Sequence, residues 1–243
     1  MFDYNSFTNA VIKANKELYE YIHTHIDSSD LKESSTIGYG GDNTLNIDLI
    51  AENIFIKHLH SFGDIFSEEA GLLSSNSNIK IIIDPLDGSH NFLSQLPYYG
   101  TSVALKIDDE TKAGYVVNLV NHIMIYKVKN DLKQIDILNK KSINFIETKK
   151  TEVGIFERAY AYPNVIKKLN EKKLKFRSLG AVAISLAYAK NYNFVLFAGS
   201  IRPFDIEAAL YISSNLFIHQ EAEFLIMAKN QYHLTLIKEI IKE

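Results

Sequence analysis

The sequence predicts a mixed fold, with an α+β N-terminal domain over residues 1–146 and an α/β C-terminal domain over residues 147–243. Three observations support this prediction. The first sixty residues show helical periodicity, residues 64 to 128 hold short β-like runs, and the last third alternates strand and helix signals. The boundary lies in a polar segment with lysine pairs, and the chain is long enough to bury a substantial core.

Two amphipathic helices open the chain. Apolar residues recur at helical spacing from Phe7 to Ile22 and again from Ile47 to Phe62. Five β-like runs follow, and their connections predict antiparallel hairpins. These runs are Asp64 to Phe66, Lys80 to Ile83, Thr101 to Ile107, Ala113 to Val120 and Ile123 to Val128.

The C-terminal part alternates the two kinds of element. The predicted strands are Val153 to Phe156, Phe194 to Phe197 and Glu223 to Ala228. The predicted helices are Pro163 to Leu169, Ala181 to Ala189, one that opens at Asp205, and Leu234 to Ile241, capped by Asn230. This alternation is typical of an α/β domain.

Composition narrows the function classes. Hydrophobic residues make up 47% of the chain and charged residues 23%, which disfavours disorder and a membrane-embedded protein. The net charge is −3 and the lysines and arginines are spread along the chain, so we expect no nucleic-acid partner. Without cysteine there is no disulfide, zinc–thiolate site or cysteine nucleophile. No secretory signal or bilayer-spanning run is visible, so we expect a cytoplasmic protein with no membrane partner.

The most informative segment is Ile81 to Phe92, where an apolar run ends in two aspartates and a glycine turn. Pro85 pushes Asp84 toward an extended backbone, and Gly88 permits a geometry closed to other residues. Asp84 and Asp87 can therefore point into one small volume, where their repulsion favours a hard cation. Backbone N–H groups of Gly88 and Ser89 can face an anion. The segment predicts a metal site beside a phosphate site.

A metal site needs further oxygen ligands, and three acidic residues are candidates. Glu68 follows a predicted strand, although acidic pairs such as Glu68-Glu69 are also common in solvated loops. Asp205 precedes a helix and could instead be an ordinary N-cap. Asp48 lies near a helix start and could be a plain exposed position.

The order and separation of these acids resemble the inositol monophosphatase superfamily of metal-dependent phosphatases. Asp84 to Phe92 fits the core motif Asp-Pro-Ile/Leu-Asp-Gly-Thr/Ser-x-Asn-Phe at every defined position. Ser67-Glu68-Glu69 resembles the upstream ligand pattern, and Phe204 to Ala209 resembles the downstream Trp-Asp-x-Ala-Ala-Ala. The chain looks most like archaeal-type enzymes that act on both fructose 1,6-bisphosphate and inositol phosphates.

The resemblance implies a layered αβαβα sandwich of the inositol monophosphatase and fructose-1,6-bisphosphatase type, with the site between two domains. It also implies two or three Mg²⁺ ions, with Mn²⁺ possible. The implied metal ligands are Glu68, Asp84, the backbone carbonyl of Leu86, Asp87 and Asp205. The implied catalytic residues are Asp48, Glu68 and Ser89. The implied substrate or phosphate contacts are Asp87, Gly88, Ser89, Gly180, Ala181, Arg202 and Asp205, with a structural salt bridge as the alternative for Arg202.

The expected activity is hydrolysis of a phosphomonoester by metal-activated water, with lithium inhibition and a homodimer by analogy. Relatives specific for inositol carry a glutamate where this chain has Ala198, which weakens the case for a dedicated inositol enzyme. Inositol monophosphate, fructose 1,6-bisphosphate and 3′-phosphoadenosine 5′-phosphate all stay open.

Two other interpretations compete with a metal-dependent phosphatase. Haloacid-dehalogenase-type phosphatases carry Asp-x-Asp-Gly, whereas the two aspartates here are three apart with a proline after the first. A chain that binds metal or a phosphorylated metabolite as a sensor, without catalysis, is the second alternative.

Overall fold

The computed structural model describes residues 2–41, 43–73, 76–146 and 151–242. The predicted domain boundary falls beside residues 147–150, which lie outside the described residues. Two helices, α1 (Tyr4–Thr24) and α2 (Asn46–Leu59), open the chain as predicted, although α2 ends three residues earlier than expected. Between them, β1 (Glu33–Ile37) and β2 (Asn43–Leu45) form a small antiparallel sheet.

A seven-stranded sheet follows, and its strand order is β4-β3-β5-β6-β7-β8-β9. Its strands are β3 (Asp64–Ser67), β4 (Gly71–Leu72), β5 (Ile79–Asp87), β6 (Gly100–Ile107), β7 (Glu110–Asn118), β8 (Ile123–Val128) and β9 (Asp131–Asp136). The short helix α3 (Ser89–Leu93) connects β5 to β6. From β5 to β8, consecutive strands pair antiparallel as predicted, and β9, which the sequence did not predict, adds a further antiparallel strand beside β8.

The prediction of a hairpin is wrong for the first two runs, because β3 and β5 pair in parallel. After β3 the chain turns back as β4 on the outer edge of the sheet, antiparallel to β3. It must therefore return to the starting end of β3 before β5 begins. As a result, β3 and β5 both end at the same edge of the sheet, which matters for the acidic residues that follow them.

A five-stranded sheet of order β11-β10-β12-β14-β13 forms the second half. Its strands are β10 (Gly154–Glu157), β11 (Phe176–Arg177), β12 (Phe194–Ala198), β13 (Phe217–Gln220) and β14 (Phe224–Ala228). The first three in spatial order, β11, β10 and β12, are parallel, and β14 pairs antiparallel with β12 and β13.

The helices of this half are α4 (Pro163–Glu171), α5 (Val182–Ala187), α6 (Pro203–Ile212) and α7 (Gln231–Lys242). The predicted helix from Ala181 to Ala189 is shorter in the structure, since α5 ends at Ala187. The helix predicted to open at Asp205 begins two residues earlier, because Pro203 is well suited to a first turn, where its missing N–H costs nothing. Asn230 caps α7 as predicted, accepting a 2.9 Å hydrogen bond from the His233 N–H.

Three apolar cores hold five layers together, and the middle core packs against both sides of the central helix layer. Helices α1 and α2 bury Phe7, Leu18 and Phe55 against one face of the seven-stranded sheet. Helices α5 and α6 lie between the two sheets, and α4 and α7 cover the outer face of the five-stranded sheet. Each layer thereby buries its apolar face, and the predicted αβαβα sandwich is confirmed. Among the described residues, no helix combines the length and apolar character needed to span a bilayer.

Candidate metal and phosphate site

The aspartate motif lies at a β-bulge where β5 ends. Asp84 pairs with Ser102 of β6 and Asp87 pairs with Gly100, so three steps along β5 match two steps along β6. The extra residue re-aims the strand, and both buried carboxylates line one cleft. Asp84 accepts a hydrogen bond from the Leu86 N–H and Asp87 one from the Ile184 N–H, each 3.0 Å long.

Gly88 makes the turn that leaves the strand. Its φ is +85°, in the left-handed region that side chains with a Cβ rarely adopt. A Cβ at this position would also lie 3.0 Å from the Ala181 Cβ. Gly88 therefore allows the backbone to pass closely in front of Ala181 and brings Gly88 and Ser89 to the cleft.

Three carboxylates converge beside this turn. One oxygen from each of Glu68, Asp84 and Asp205 lies within 4.8 Å of the others. Glu68 directly follows β3 and Asp84 lies near the end of the parallel strand β5, while Asp205 comes from the first turn of α6. Asp84 and Asp205 are buried and Glu68 is partly buried, and such a cluster of carboxylate oxygens suits a hard divalent cation such as Mg²⁺ or Mn²⁺. The residues present therefore fit the metal that the sequence predicts.

The electrostatics of the cluster also favour a bound cation. Burial raises the pKa of Asp84 well above its usual value, and repulsion from Glu68, Asp87 and Asp205 raises it further. Burial also raises the pKa of Asp87, while the hydrogen bond from Ile184 opposes the rise. A divalent cation would remove this repulsion by neutralising the charges.

Arg202 is the cation that the structure places against the cluster. Its Nη1 lies 2.7 Å from Oε1 of Glu68, and its Nε and Nη2 donate to the two carboxylate oxygens of Asp205 at 3.0 and 3.1 Å. The structural salt bridge considered for Arg202 is therefore present. Contact between Arg202 and a substrate stays a prediction.

Asp48 is buried in the first turn of α2, so the exposed position considered as an alternative is wrong. Its Oδ2 accepts a 2.9 Å hydrogen bond from the Leu45 N–H, whereas Oδ1 is buried with no hydrogen-bond partner among the described residues. Burial raises the pKa of Asp48 to about 7, and repulsion from Glu69 contributes while the Leu45 bond opposes it. A carboxyl group with this pKa can take up a proton near neutral pH.

This shift predicts a pH dependence for the metal-free protein. Between the ordinary carboxyl pKa of 3.8 and about 7, the folded state holds a proton at Asp48 that the unfolded state has lost. Stability is therefore lost as pH rises through this window, by on the order of 4 kcal/mol. Asp48→Asn keeps an acceptor for Leu45 but does not titrate. We expect it to raise the melting temperature at pH 8 and not at pH 4.

Thermal melts in EDTA across that pH range test the assignment. Asp131→Asn, a change on an exposed side chain, is the matched control and should follow the wild type. Parallel melting curves for wild type and Asp48→Asn from pH 4 to pH 8 would show that Asp48 does not carry the shift.

Residues that follow strands of the five-stranded sheet form the wall of the cleft opposite the aspartate motif. Because β11, β10 and β12 are parallel, their C-terminal ends meet at one edge, where α/β sheets usually bind ligands. Gly180 follows β11, Arg158 follows β10, and Arg202 and Asp205 follow β12. The cleft has a volume of about 690 Å³.

Ten of the eleven predicted site residues line this cleft. They are Asp48, Glu68, Asp84, Leu86, Asp87, Gly88, Ser89, Gly180, Arg202 and Asp205. The eleventh, Ala181, is fully buried directly behind Gly88. The roles given to these residues stay predictions, but the structure brings them to one place.

The sequence analysis missed two charged residues that line the cleft, Glu157 at the end of β10 and Arg158 directly after it. Glu157 is buried at the end of β10 and accepts hydrogen bonds from the Gly180 N–H at 2.8 Å and the Ser185 hydroxyl at 2.6 Å. Burial raises the pKa of Glu157, and these two bonds oppose the rise. Arg158 follows it and lines the cleft. The signal that could have found them is an apolar run that ends directly in charged residues, as the run before Asp84 does.

Comparison with known proteins identifies the family. The model of the inositol monophosphatase family matches residues 3–214. The fructose-1,6-bisphosphatase/inositol-1-monophosphatase of Methanothermobacter thermautotrophicus is 30% identical over 216 residues, covering 77% of this chain and 74% of that one. The fructose-1,6-bisphosphatase of Pyrococcus furiosus is 27% identical over 155 residues, a match that spans 63% of this chain and only 58% of that relative.

The fold agrees with a solved structure over nearly the whole chain. The Thermotoga maritima IMPase superposes with a TM-score of 0.77 at 22% identity, covering 97% of this chain and 98% of that one. The matched family model, the relatives and the cleft geometry lead to one conclusion. This chain belongs to the inositol monophosphatase family, a family of metal-dependent phosphatases.

Proposed function

We propose that this protein is a Mg²⁺-dependent phosphomonoesterase that hydrolyses a small phosphorylated metabolite, inositol monophosphate or fructose 1,6-bisphosphate. The observation that carries the proposal is the set of carboxylate oxygens from Glu68, Asp84 and Asp205 within 4.8 Å, beside the Gly88–Ser89 turn. A divalent cation and a phosphate are the two ligands that such a cleft can hold next to each other.

The residues divide into two overlapping ligand sets. Glu68, Asp84 and the Leu86 carbonyl would hold one ion, and Asp84, Asp87 and Asp205 would hold a second. Asp84 belongs to both sets, which agrees with its central position among the other carboxylates. When bound, the ions supply Lewis-acid activation of water and neutralise charge on the phosphate.

The protein's own groups complete the reaction. The attacking water must lose a proton, and Asp48 offers a buried oxygen, Oδ1, with a carboxyl pKa of about 7. Ser89 lines the same cleft and would relay that proton, while the backbone amides of Gly88 and Ser89 orient the phosphate. Glu157 holds the Gly180 amide and so fixes the loop after β11 on the substrate side.

Phosphate release by the purified protein tests the proposal. The substrates are fructose 1,6-bisphosphate, inositol 1-phosphate, 3′-phosphoadenosine 5′-phosphate and p-nitrophenyl phosphate, each with Mg²⁺ and with EDTA. We expect turnover that EDTA abolishes and Mg²⁺ restores. A preference for the adenosine compound would move the assignment to the corresponding phosphatase of the superfamily.

The same assay separates the enzyme from a sensor. Tight binding of a phosphorylated metabolite or Mg²⁺ without release of phosphate from any substrate would support the sensor and contradict the enzyme. We also propose a cytoplasmic homodimer that lithium inhibits. Light scattering on the protein as it leaves a size-exclusion column tests the homodimer. A titration of the phosphate-release rate with lithium tests the inhibition.

A further inference from the structure

The chain contains three arginines, and the structure gives them different surroundings. Arg202 pairs with Glu68 and Asp205 inside the cleft. Arg177 is exposed, donates to the Phe176 carbonyl and does not line the cleft. Arg158 lines the cleft, but within the part of the chain that the structure describes its guanidinium has no hydrogen bond and no ion pair; only its backbone carbonyl is bonded, to the Ala161 N–H. It is therefore a cleft arginine whose donors are not occupied by a carboxylate.

The position of Arg158 is fixed by its neighbours. Its guanidinium lies over the Phe197 ring, 5.5 Å from the ring centre. A Cβ at Gly199 would lie 2.9 Å from Arg158 Nη1, so a glycine at the end of β12 leaves room for the guanidinium. The preceding residue, Glu157, is anchored by Gly180 and Ser185. These contacts hold the charged group on the wall formed by the second sheet.

The backbone of Arg158 adds a second indication. Its φ is +58°, a left-handed conformation that is unfavourable for a residue with a Cβ. Strained residues of this kind cluster at ligand-binding positions, where the surrounding structure holds them in place. Here the strained turn directs the chain from the end of β10 along the cleft.

Charge indicates which ligand this arginine suits. Seven carboxylates and two guanidinium groups line the cleft, and one guanidinium is already paired with Glu68 and Asp205. A guanidinium with free donors is a preferred partner for phosphate and carboxylate groups. Ala198, at the end of β12, is fully buried and offers no acceptor for a polyol hydroxyl.

We propose that Arg158 forms a subsite for a second anionic group of the substrate, so that the natural substrate carries two anionic groups. This inference rests on the proposed phosphatase activity and narrows its substrate to a bisphosphate or a phosphorylated carboxylate. The scissile phosphate lies at the carboxylate cluster, and the second anion lies against Arg158 on the other sheet.

Matched substrate pairs test the subsite. The first pair is fructose 1,6-bisphosphate and fructose 1-phosphate, which share the sugar and one phosphate and differ in the second anion. The second pair is 2-phosphoglycerate and glycerol 2-phosphate, where the second anion is a carboxylate. KM and kcat are measured with saturating Mg²⁺ for wild type, Arg158→Ala, Arg158→Lys, Arg158→Gly and, as the control, Arg177→Ala.

We expect Arg158→Ala to raise KM for the doubly anionic member of the preferred pair about 10- to 100-fold, as a charge-assisted hydrogen bond would. The KM for the singly anionic member and kcat should stay near wild type. Arg158→Lys should recover part of the loss, and Arg177→Ala should match the wild type. Arg158→Gly also removes the guanidinium, but glycine adopts the left-handed backbone conformation without strain. The same selective rise in KM in this variant would show that the loss comes from the missing guanidinium and not from poor folding.

The outcomes distinguish this inference from the function on which it rests. Turnover with equal KM changes for both members of each pair, or with none, would overturn the subsite and leave the phosphatase intact. Absence of Mg²⁺-dependent turnover for all four compounds and for inositol 1-phosphate would overturn the proposed function and the subsite with it.

Discussion

Asp84→Asn is expected to abolish Mg²⁺-dependent phosphate release, lowering turnover by roughly 1,000-fold or more. Asp84 is the carboxylate that both proposed ligand sets share, and Glu68, Asp87 and Asp205 lie close enough to repel it. An amide keeps the acceptor for the Leu86 N–H but loses the negative charge that binds the cation. The protein should still fold, because the change removes a buried charge that repels its neighbours. Phosphate-release assays and thermal melts in EDTA measure the two effects.

Asp64→Asn is the matched control for this change. Asp64 is also a buried aspartate, located at the start of β3, where its Oδ2 accepts a 2.9 Å hydrogen bond from the Ser77 N–H. It lies at the opposite end of the strand from Glu68, so turnover should stay near wild type. If Asp84→Asn retained turnover within tenfold of the wild type, the shared-ligand role of Asp84 would be wrong.

Arg202→Met is expected to destabilise the metal-free protein and to tighten Mg²⁺ binding. The guanidinium of Arg202 compensates Glu68 and Asp205, and its loss leaves two largely buried carboxylates without this partner. Removing one member of such a group costs about 3 kcal/mol. Because the same guanidinium competes with a cation for these oxygens, its removal should lower the Kd for Mg²⁺. Calorimetry and melting temperatures at increasing Mg²⁺ report both effects.

Lys57→Met provides the comparison for a surface ion pair. Lys57 lies 2.8 Å from Glu17 but is well exposed, so its loss should cost less than about 1 kcal/mol and leave Mg²⁺ binding unchanged. Weaker Mg²⁺ binding in Arg202→Met would contradict competition and would mean that Arg202 orients the ligands for the ion.

Most helices and strands and the aspartate motif of the cleft could be predicted from the sequence itself, because their signals are local, whereas the layered arrangement and most site roles were implied by the resemblance to the family. An apolar run that ends in Asp-Pro-Leu-Asp-Gly encodes the end of β5, its bulge and the left-handed turn at Gly88 within a few residues. Helix periodicity fixed α1 and α2 in the same way. The predicted direction of β5 relative to β3 was wrong because the direction of a strand within a sheet is set by long-range pairing, and the sequence between these two strands carries little periodic signal.

Other features depend on contacts between distant segments. The residues next to Asp48 in the chain do not show that this helix start is buried. The burial depends on the packing of α2 against the seven-stranded sheet. The pairing of Arg202 with Glu68 joins residues that follow strands of different sheets, β12 and β3. Short or largely exposed strands such as β11 and β13 lack the apolar alternation on which strand prediction relies.

The carboxylate cluster takes Asp84 from β5 of the seven-stranded sheet, Glu68 from the turn after β3 of the same sheet, and Asp205 from α6, which follows β12 of the five-stranded sheet. A cation held by all three would act as a crosslink between the two halves of the sandwich. Carboxylate–Mg²⁺ distances tolerate little variation, so cation affinity would serve as a gauge of how closely the halves are packed. Substitutions in the apolar core between the sheets, far from any ligand, should therefore register as changes in Mg²⁺ affinity.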